Sequence, residues 1–513
     1  MNTDLIGQIL DRAQQDPDAV ALVWGHADLE MTYGELRRRV LAVRRGLAEA
    51  GLRPGDGVLF GVRPSASTVV AALAVVSAGG TLVVVDPGAG PEMFAARLRL
   101  AKPGWVIAES ALYTLNRVRF LRGLARRRGL LLPGLADGLD LRHVFVGRRL
   151  PGVPRGALSF TDLEAGEVGE VTDAGAAGAH SPASPAVVVF TSGTTTKPRG
   201  VVHSAASLAA GLELCRERFP LETGHVVHDS GFMLGLPALI AGARWSIPTM
   251  GGAAAGFVEE LGRRGVTHTF CVPVHLARLL DSAPRLPDSV RFLLLGSAPV
   301  PPAVLRRAVA ATAAEATVLS VYAMTEMLPV SMAEAAEKFA HWDTGDGDLL
   351  GSPLPGVEIQ LREDGELLLR GPNTCLGYLG DPPLDWLATG DLARLDDQGR
   401  LVLMGRKKDM IIRGAVNIYP GLYEPAIAAL PGVTEAAMVG LPDPVTGDET
   451  VVVAVVPDGS VADGLLAARL HQVLPDVIDR GALPDRIVVL PDLPRGGRSH
   501  KLDRAALRAV VAD

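Results

Sequence analysis

Val187-Val188-Val189-Phe190-Thr191-Ser192-Gly193-Thr194-Thr195-Thr196-Lys197-Pro198-Arg199-Gly200 decides how this chain is read. The four leading apolar residues, mostly β-branched, predict a buried strand. They run straight into hydroxyls, small residues and two cations. Backbone N–H groups and Ser/Thr hydroxyls in such a loop donate to phosphate oxygens, and Lys197 and Arg199 add positive charge. The plain alternative is a polar turn after a strand. A Walker A loop is excluded, because no Gly-Lys-Ser/Thr follows at its spacing.

With 513 residues, the chain should hold roughly two to four domains. A hydrophobic content of 48% with 21% charged residues fits a globular protein. The net charge of −7 argues against a dedicated nucleic-acid binder. Cys215, Cys271 and Cys375 lie far apart and form neither a metal spacing nor a disulfide framework. That usage, with a Met1-Asn2-Thr3-Asp4 start lacking a basic and apolar leader, predicts a cytoplasmic protein. No uncharged apolar run reaches transmembrane length.

Outward from the opening stretch, helical and strand patterns alternate, which predicts an α/β architecture. A helix should open at Met31–Leu36, a buried helix should cover Val69–Ala78, and Thr81–Asp86 should be a buried strand before Pro87-Gly88. Residues Asp162 to Ala186, rich in Gly, Ala, Ser and Pro, read as a surface connection. A second α/β stretch follows, Val201 to Met332. Gly365–Arg370 and Arg400–Met404 then suggest a smaller β-rich part. A boundary near Lys407-Lys408 divides the chain into residues 1–406 and a small α+β domain of residues 407–513.

Arg117, Arg119, Arg122, Arg126, Arg127 and Arg128 accompany Leu112, Leu115, Val118, Leu121 and Leu124, spaced by three. An amphipathic helix with a solvated basic face explains the pattern. The sharper alternative is weak peripheral contact with an anionic membrane or an acyl-carrying protein.

Several further segments carry candidate chemistry. Gly296-Ser297-Ala298-Pro299 follows the apolar run Phe292–Leu295, and small residues after a strand let a flat ring approach the backbone. Tyr322-Ala323-Met324-Thr325-Glu326 offers an aromatic ring, a hydroxyl and a hard carboxylate of the kind Mg²⁺ takes beside phosphates. Asp391, in Thr389-Gly390-Asp391, has two acceptor oxygens suited to a vicinal diol, and Arg406 closes a predicted strand. Each has an ordinary explanation singly: a turn, a helix-start acid, a strand-end arginine.

Together, in this order, these segments resemble the adenylate-forming superfamily of acyl-CoA synthetases, luciferases and peptide-synthetase adenylation domains. Its loop signature is Thr/Ser-Ser-Gly-Ser/Thr-Thr-Gly-x-Pro-Lys-Gly. Thr196 stands where the family has Gly, and Arg199 where it has Lys; Ala323 and His500 likewise replace glycines. A β-branched Thr does not readily take positive φ, so the loop shape should be modified. The resemblance implies an α/β adenylate-forming fold, a large N-terminal domain of several subdomains with a small mobile C-terminal domain.

It also implies roles. Thr191, Ser192, Gly193, Thr194, Thr195, Thr196, Lys197, Arg199 and Gly200 would hold ATP phosphates. Gly296, Ser297, Ala298, Pro299 and Tyr322 would border adenine. Thr325 would meet the α-phosphate, Glu326 would hold Mg²⁺, Asp391 would bind ribose, and Arg406 ribose or phosphate. Arg495-Gly496-Gly497-Arg498-Ser499-His500-Lys501-Leu502-Asp503-Arg504 resembles the family's C-terminal motif and makes Lys501 the catalytic lysine. Gly405–Gly414 with Asn417–Pro420 resembles the CoA-ligase version, with Lys408 at the domain pivot and Arg413 and Gly414 at a pantetheine channel. The alternative there is an amphipathic hairpin with a charged turn.

On the substrate side, His228, Gly231, Phe232 and Met233 occupy the positions of an acyl-pocket gate, though a packed histidine explains His228 equally. The amino-acid ammonium pattern is lacking, so a fatty or other apolar carboxylic acid is expected. Val85-Asp86-Pro87-Gly88, the arginine-rich insertion and Thr325–Val330 also resemble β-lactone synthetases of the olefin-hydrocarbon pathway. The expected enzyme is thus an ATP-dependent, AMP-forming ligase passing the acyl group to CoA. The substrate's own β-hydroxyl and a carrier protein or other nucleophile are the alternative acceptors.

Overall fold

The structure is a computed structural model that describes residues 4–85, 91–117, 140–166, 181–190, 198–249, 254–342, 347–413, 416–442, 449–478, 480–496 and 501–512. Two compact units emerge. One comprises Met1–Thr269, Met324–Pro329 and Gly371–Asp385; the other Phe270–Ala323, Val330–Arg370 and Trp386–Asp513.

The first unit contains an eight-stranded sheet. Its order is Gly377–Tyr378, Gly200–Ser204, Pro185–Phe190, Thr81–Val84, Gly57–Gly61, Trp105–Glu109, Arg142–Val146 and Leu158–Ser159. The pairings are parallel except at Gly200–Ser204, which runs antiparallel to both neighbours. The strand expected at Val187–Phe190 is present. Ala186, Val188 and Phe190 are buried while Val187 and Val189 are half-buried, so one face meets the core.

Phe190 pairs with Gly200 across the antiparallel ladder, which pins both ends of the opening loop. A Cβ on Gly200 would come within 3.0 Å of Val188 and 3.1 Å of Phe190, so this close crossing calls for glycine. Residues 191–197 lie outside the described residues.

Helices cover the sheet as their patterns require. Tyr33–Glu49 starts at Thr32, whose hydroxyl accepts from Glu35 N. Ala66–Ser77 is buried on nearly every side, which explains its lack of a polar stripe. The expected surface connection at 162–186 is shorter than the composition suggests. Ser159 caps a helix over Phe160–Glu164, Pro185–Phe190 is already strand, and residues 167–180 are outside the described residues. Helix Ser110–Arg117 begins the arginine-rich segment; the remainder is also outside them.

In the same unit His268–Thr269, Val226–His228, Arg244–Ile247 and Val20–Trp24 run parallel in that order, with Leu29–Thr32 antiparallel at the end.

In the second unit Phe292–Leu295 pairs parallel with Thr317–Met324. An antiparallel ladder then runs through Asp348–Pro353, Leu401–Arg406, Leu387–Leu395, Glu366–Arg370 and Glu358–Leu361. Near the C-terminus Val433–Pro442, Glu449–Pro457 and Arg486–Val489 form a three-stranded sheet. Val451, Val453 and Val455 face one apolar cluster with Leu466 and Leu470. Val452 and Ala454 face another with Leu507 and Val511. Burial on both faces explains the continuous apolar run Val451–Val456.

Among the described residues no helix is long and apolar enough to cross a membrane.

Candidate active site

In the first unit Thr325 and Glu326 form a turn entering Met327–Glu334. Three hydrogen bonds hold it. His203 Nε2 donates to Thr325 O at 2.7 Å, Cys375 N donates to Glu326 O at 2.8 Å, and the Tyr378 hydroxyl donates to Glu326 Oε1 at 3.0 Å. The Arg199 guanidinium lies over the Tyr378 ring, 4.7 Å from its centre. Burial, then the Glu326 charge and its hydrogen bond, push the Tyr378 phenol up, so it stays a neutral donor. His203 is 3% exposed, and burial lowers its pKa against the carbonyl of Thr325 and the charge of Glu326.

The donor set around Glu326 suits Mg²⁺ carried by a nucleotide. One carboxylate oxygen is oriented by a phenol, and a hard carboxylate of this kind could take part in holding a cation. Among the described residues no group of three or more His, Cys, Asp or Glu side chains could hold a metal ion. Mg²⁺ typically takes one or two carboxylates and fills its remaining positions with phosphate and water.

The substrate-side residues lie on neighbouring elements of this unit. His228 ends strand Val226–His228 and is fully buried. Its Nδ1 is 2.8 Å from Ser246 Oγ, directly opposite on the parallel neighbour. Ser246 Oγ accepts from Arg264 Nη1 at 2.9 Å, which leaves its own proton for His228. Phe257 meets the imidazole edge-on at 4.9 Å. Burial, helped by the Arg264 charge, pulls His228 down to about 3, so the ring is neutral.

Gly231 caps helix Phe232–Ala241, whose Phe232 stacks edge-on against Trp245 at 5.6 Å; Met233 is half-buried beside it. A Cβ on Gly235 would overlap the Trp245 ring at 2.1 Å, so the indole occupies space that only glycine leaves. Burial pushes the Asp229 carboxyl up to about 7, opposed by the amides of Ser230 and Gly231.

The second unit holds the other group. Gly296 to Pro299 leave strand Phe292–Leu295, and a Cβ on Gly296 would lie 2.5 Å from Val321. Ser297 adopts φ 66°, a left-handed turn. Tyr322 OH donates to Asp391 Oδ2 at 2.6 Å. Arg406 is directly opposite Asp391 in the ladder, its Nε 2.7 Å from Oδ1.

Asp391 is 1% exposed, and its two oxygens are met by the Tyr322 hydroxyl and the Arg406 guanidinium. Burial raises the Asp391 pKa, opposed by Arg406, Tyr322, Lys501 and Lys408.

Lys501 pairs with Gly496 in a short antiparallel bridge. The residue as a whole is exposed, yet its ammonium is partly desolvated. Desolvation and the charges of Arg406 and Lys408 lower its pKa, while Asp391 raises it. Lys408 is exposed within the turn Lys407–Asp409, and its neighbour Lys407 pairs with Asp364 at 2.6 Å. Arg413 pairs with Asp485 and donates to Leu483 O at 2.8 Å, which ties strand Ile411–Arg413 to the later chain. Gly414 is outside the described residues, as are Thr191, Ser192, Gly193, Thr194, Thr195, Thr196 and Lys197.

Spacing along the chain does not single out His203, Ser246 or Tyr378. The readable signal for Tyr378 is its place in Leu376-Gly377-Tyr378-Leu379, a short apolar strand with a hydroxyl in it.

Comparison with known proteins agrees with this picture. The AMP-binding enzyme family profile matches residues 9–379, and the AMP-binding enzyme C-terminal domain profile matches residues 423–501. A 3-[(3aS,4S,7aS)-7a-methyl-1,5-dioxo-octahydro-1H-inden-4-yl]propanoyl:CoA ligase of Rhodococcus jostii is 30% identical over 444 residues, covering 82% of this chain and 83% of that protein. A feruloyl-CoA synthase of an Amycolatopsis species is 29% identical, covering 88% and 89%. The structure of the amide bond synthetase McbA from Marinactinospora thermotolerans superposes with TM-score 0.81 at 25% identity over 99% of each chain.

Proposed function

This chain belongs to the AMP-binding enzyme family, and from that premise we propose that it activates a fatty or other apolar carboxylic acid and transfers the acyl group to CoA. Its coarse activity is that of an AMP-forming acid–thiol ligase using ATP. In the first half-reaction a carboxylate oxygen attacks the α-phosphorus of ATP, and pyrophosphate leaves. In the second the CoA sulfur attacks the acyl carbon, its proton is released, and AMP leaves.

The observation that carries this reading is Asp391, a buried carboxylate held by Tyr322 and Arg406 with the charge of Lys501 acting on it. Each of its oxygens keeps a lone pair that can accept from a ribose hydroxyl. Tyr322 and the segment Gly296–Pro299 are assigned to adenine. Thr325 is assigned to the α-phosphate, and the stretch Thr191–Gly200 to the phosphates. Lys501 is assigned to the attacking carboxylate and the α-phosphate. Glu326 would hold Mg²⁺, which supplies charge to the departing pyrophosphate. There is little covalent work for the protein, so positioning and electrostatics carry the rate.

Gly231, Phe232 and Met233 are assigned to the acid, while His228, fully buried against Ser246 and Phe257, fits the packed-histidine alternative. The apolar setting of Phe232 and Trp245, with a neutral histidine, supports an acid without a second charge. Both ligase relatives are named for transfer of an acyl group built on a ring system to CoA, which supports a carbon-rich acid.

The domain division at residues 406 and 407 is part of the same proposal, with Lys408 as pivot and Arg413 and Gly414 beside the thiol route. Lys408→Pro fixes φ at that pivot. Adenylation should survive it while thioester formation falls. An equal fall in both half-reactions, with an unchanged circular dichroism spectrum, would reject the pivot.

The likeness to an amide bond synthetase supports a second reading, in which an amine takes the acyl group. One product analysis separates the acceptors. Aliphatic, β-hydroxy and aryl acids are incubated with MgATP, with and without CoA, and products are identified by mass spectrometry. The expected result is acid-dependent ATP–pyrophosphate exchange and acyl-CoA only when CoA is present. CoA-independent AMP release with a β-lactone would replace the thiol reading by ring closure. Adenylate persisting in both tubes would point to an amine or carrier protein.

A further inference from the structure

Strand Gly200–Ser204 leaves the phosphate stretch directly and carries His203 three residues later. His203 is buried, and its Nε2 reaches across the fold to the carbonyl of Thr325, 122 positions away, at 2.7 Å. A carbonyl only accepts, so Nε2 carries a proton whichever state the ring is in. The other nitrogen, Nδ1, is 3.1 Å from Ser207 Oγ. Ser207 is itself fixed in a capping box. It accepts from Ser204 N at 3.1 Å, and its backbone N donates to Ser204 Oγ at 3.0 Å. The imidazole is thereby held at both ends, with His203, Ser204 and Ser207 buried and Thr325 half-buried.

We propose that His203 is a positioning residue that locks the Thr325–Glu326 turn to the strand emerging from the phosphate stretch, with Ser207 setting the plane of its ring. The bond goes to main chain, so it acts on where Thr325 and Glu326 stand rather than on their chemistry. It joins the turn from the side opposite in sequence to Cys375 and Tyr378, which hold Glu326 from the strand Gly377–Tyr378 and its approach. Thr325 and Glu326 are the residues assigned to the α-phosphate and Mg²⁺, so the proposal rests on the function proposed above. Removing a residue that orients a metal ligand commonly costs roughly 10- to 100-fold in metal affinity or activity.

Three substitutions test it. In His203→Gln the amide nitrogen reaches the place of Nε2 and can still donate to Thr325 O. In His203→Asn the shorter amide reaches only the place of Nδ1. His203→Leu removes both. ATP–pyrophosphate exchange is measured against MgATP and against free Mg²⁺, and ATP binding is titrated calorimetrically with and without Mg²⁺. The leucine and asparagine variants should lose roughly 10- to 100-fold in kcat/KM for MgATP and need more Mg²⁺ for half-saturation. The glutamine variant should recover most of that loss.

Equal loss in the glutamine and asparagine variants, or no loss in the leucine variant, overturns the proposal. If the leucine variant does not fold, the glutamine–asparagine comparison decides alone. If the unsubstituted protein shows no exchange with any acid, the proposed function fails by itself. The calorimetric titration then decides for His203: a Mg²⁺-dependent gain in ATP affinity kept by glutamine and lost by asparagine supports it, and the same gain in both overturns it.

Discussion

Lys501→Ala lowers acid-dependent ATP–pyrophosphate exchange by roughly a hundred- to a thousand-fold, the usual cost of removing one preorganised charge-stabilising donor. The charges of Asp391, Arg406 and Lys408 act on this lysine, which as a whole residue is exposed. Truncating an exposed side chain usually changes stability by less than about 0.5 kcal/mol, so the melting temperature should hardly move. ATP binding should persist, because Asp391, Tyr322 and Arg406 remain.

The pH dependence carries a sign. Desolvation and the neighbouring cations lower the pKa of this ammonium below the ordinary lysine value of 10.5. The charged form, which stabilises the transition state, is therefore complete well below that lowered pKa. It disappears as pH rises through it, earlier than for a free lysine. The alkaline limb of the exchange profile should vanish in Lys501→Ala. Near-normal exchange in that variant would remove Lys501 from the chemistry.

The largest expected effect on stability lies three residues on. Arg504 makes a two-pronged contact with Glu424, Nη1 to Oε1 at 2.7 Å and Nη2 to Oε2 at 2.8 Å. It also donates to Met438 O at 2.8 Å and stands 3.4 Å from Asp409. Side chains on both sides of the main pair are only 15% and 16% exposed. One residue thus fastens the last helix, Arg504–Val511, to helix Pro420–Ala428, strand Val433–Pro442 and the turn Lys407–Asp409.

Arg504→Ala leaves Glu424 charged and enclosed, and breaking a buried pair from one side typically costs about 3–5 kcal/mol. At roughly 2–4 °C per kcal/mol, thermal melting should shift by on the order of 10 °C. Adding Glu424→Gln should restore part of the loss, because the enclosed Glu424 charge is then removed while Asp409 still lacks its partner. Arg504→Lys should fall between, since an ammonium keeps the charge but not the planar fork. A melting curve unchanged by Arg504→Ala would mean that this contact is not a fastening.

The elements most legible in the sequence are those whose signal is local. Thr32 before Tyr33-Gly34-Glu35 marks a capped helix start, and the runs at 81–84, 187–190 and 366–370 are strands bounded by turn residues. The α/β fold follows from that alternation. Site residues were legible only as members of an ordered set of motifs.

What the sequence does not display is register. Tyr322 and Asp391 are 69 positions apart, and Asp391 faces Arg406 because of how two strands align. His203 looks like any polar residue inside an apolar strand until the fold places Thr325 O against its ring. Ser246 is equally mute until His228 stands opposite it. Composition exaggerated the connection at 162–186, because a single capping serine was enough to make helix at its edge.

The Asp391–Arg406 pair has one more implication. Both residues are rungs of a ladder closed by the Asp396–Arg400 turn, where Asp396 Oδ1 accepts from Gln398 N and Arg400 N and Oδ2 meets Arg400 Nε at 2.7 Å. Their spacing is therefore an attribute of the hairpin and exists before any nucleotide arrives. A ligand taken by this pair would meet charges already in place, and its binding would sacrifice little main-chain freedom in the hairpin.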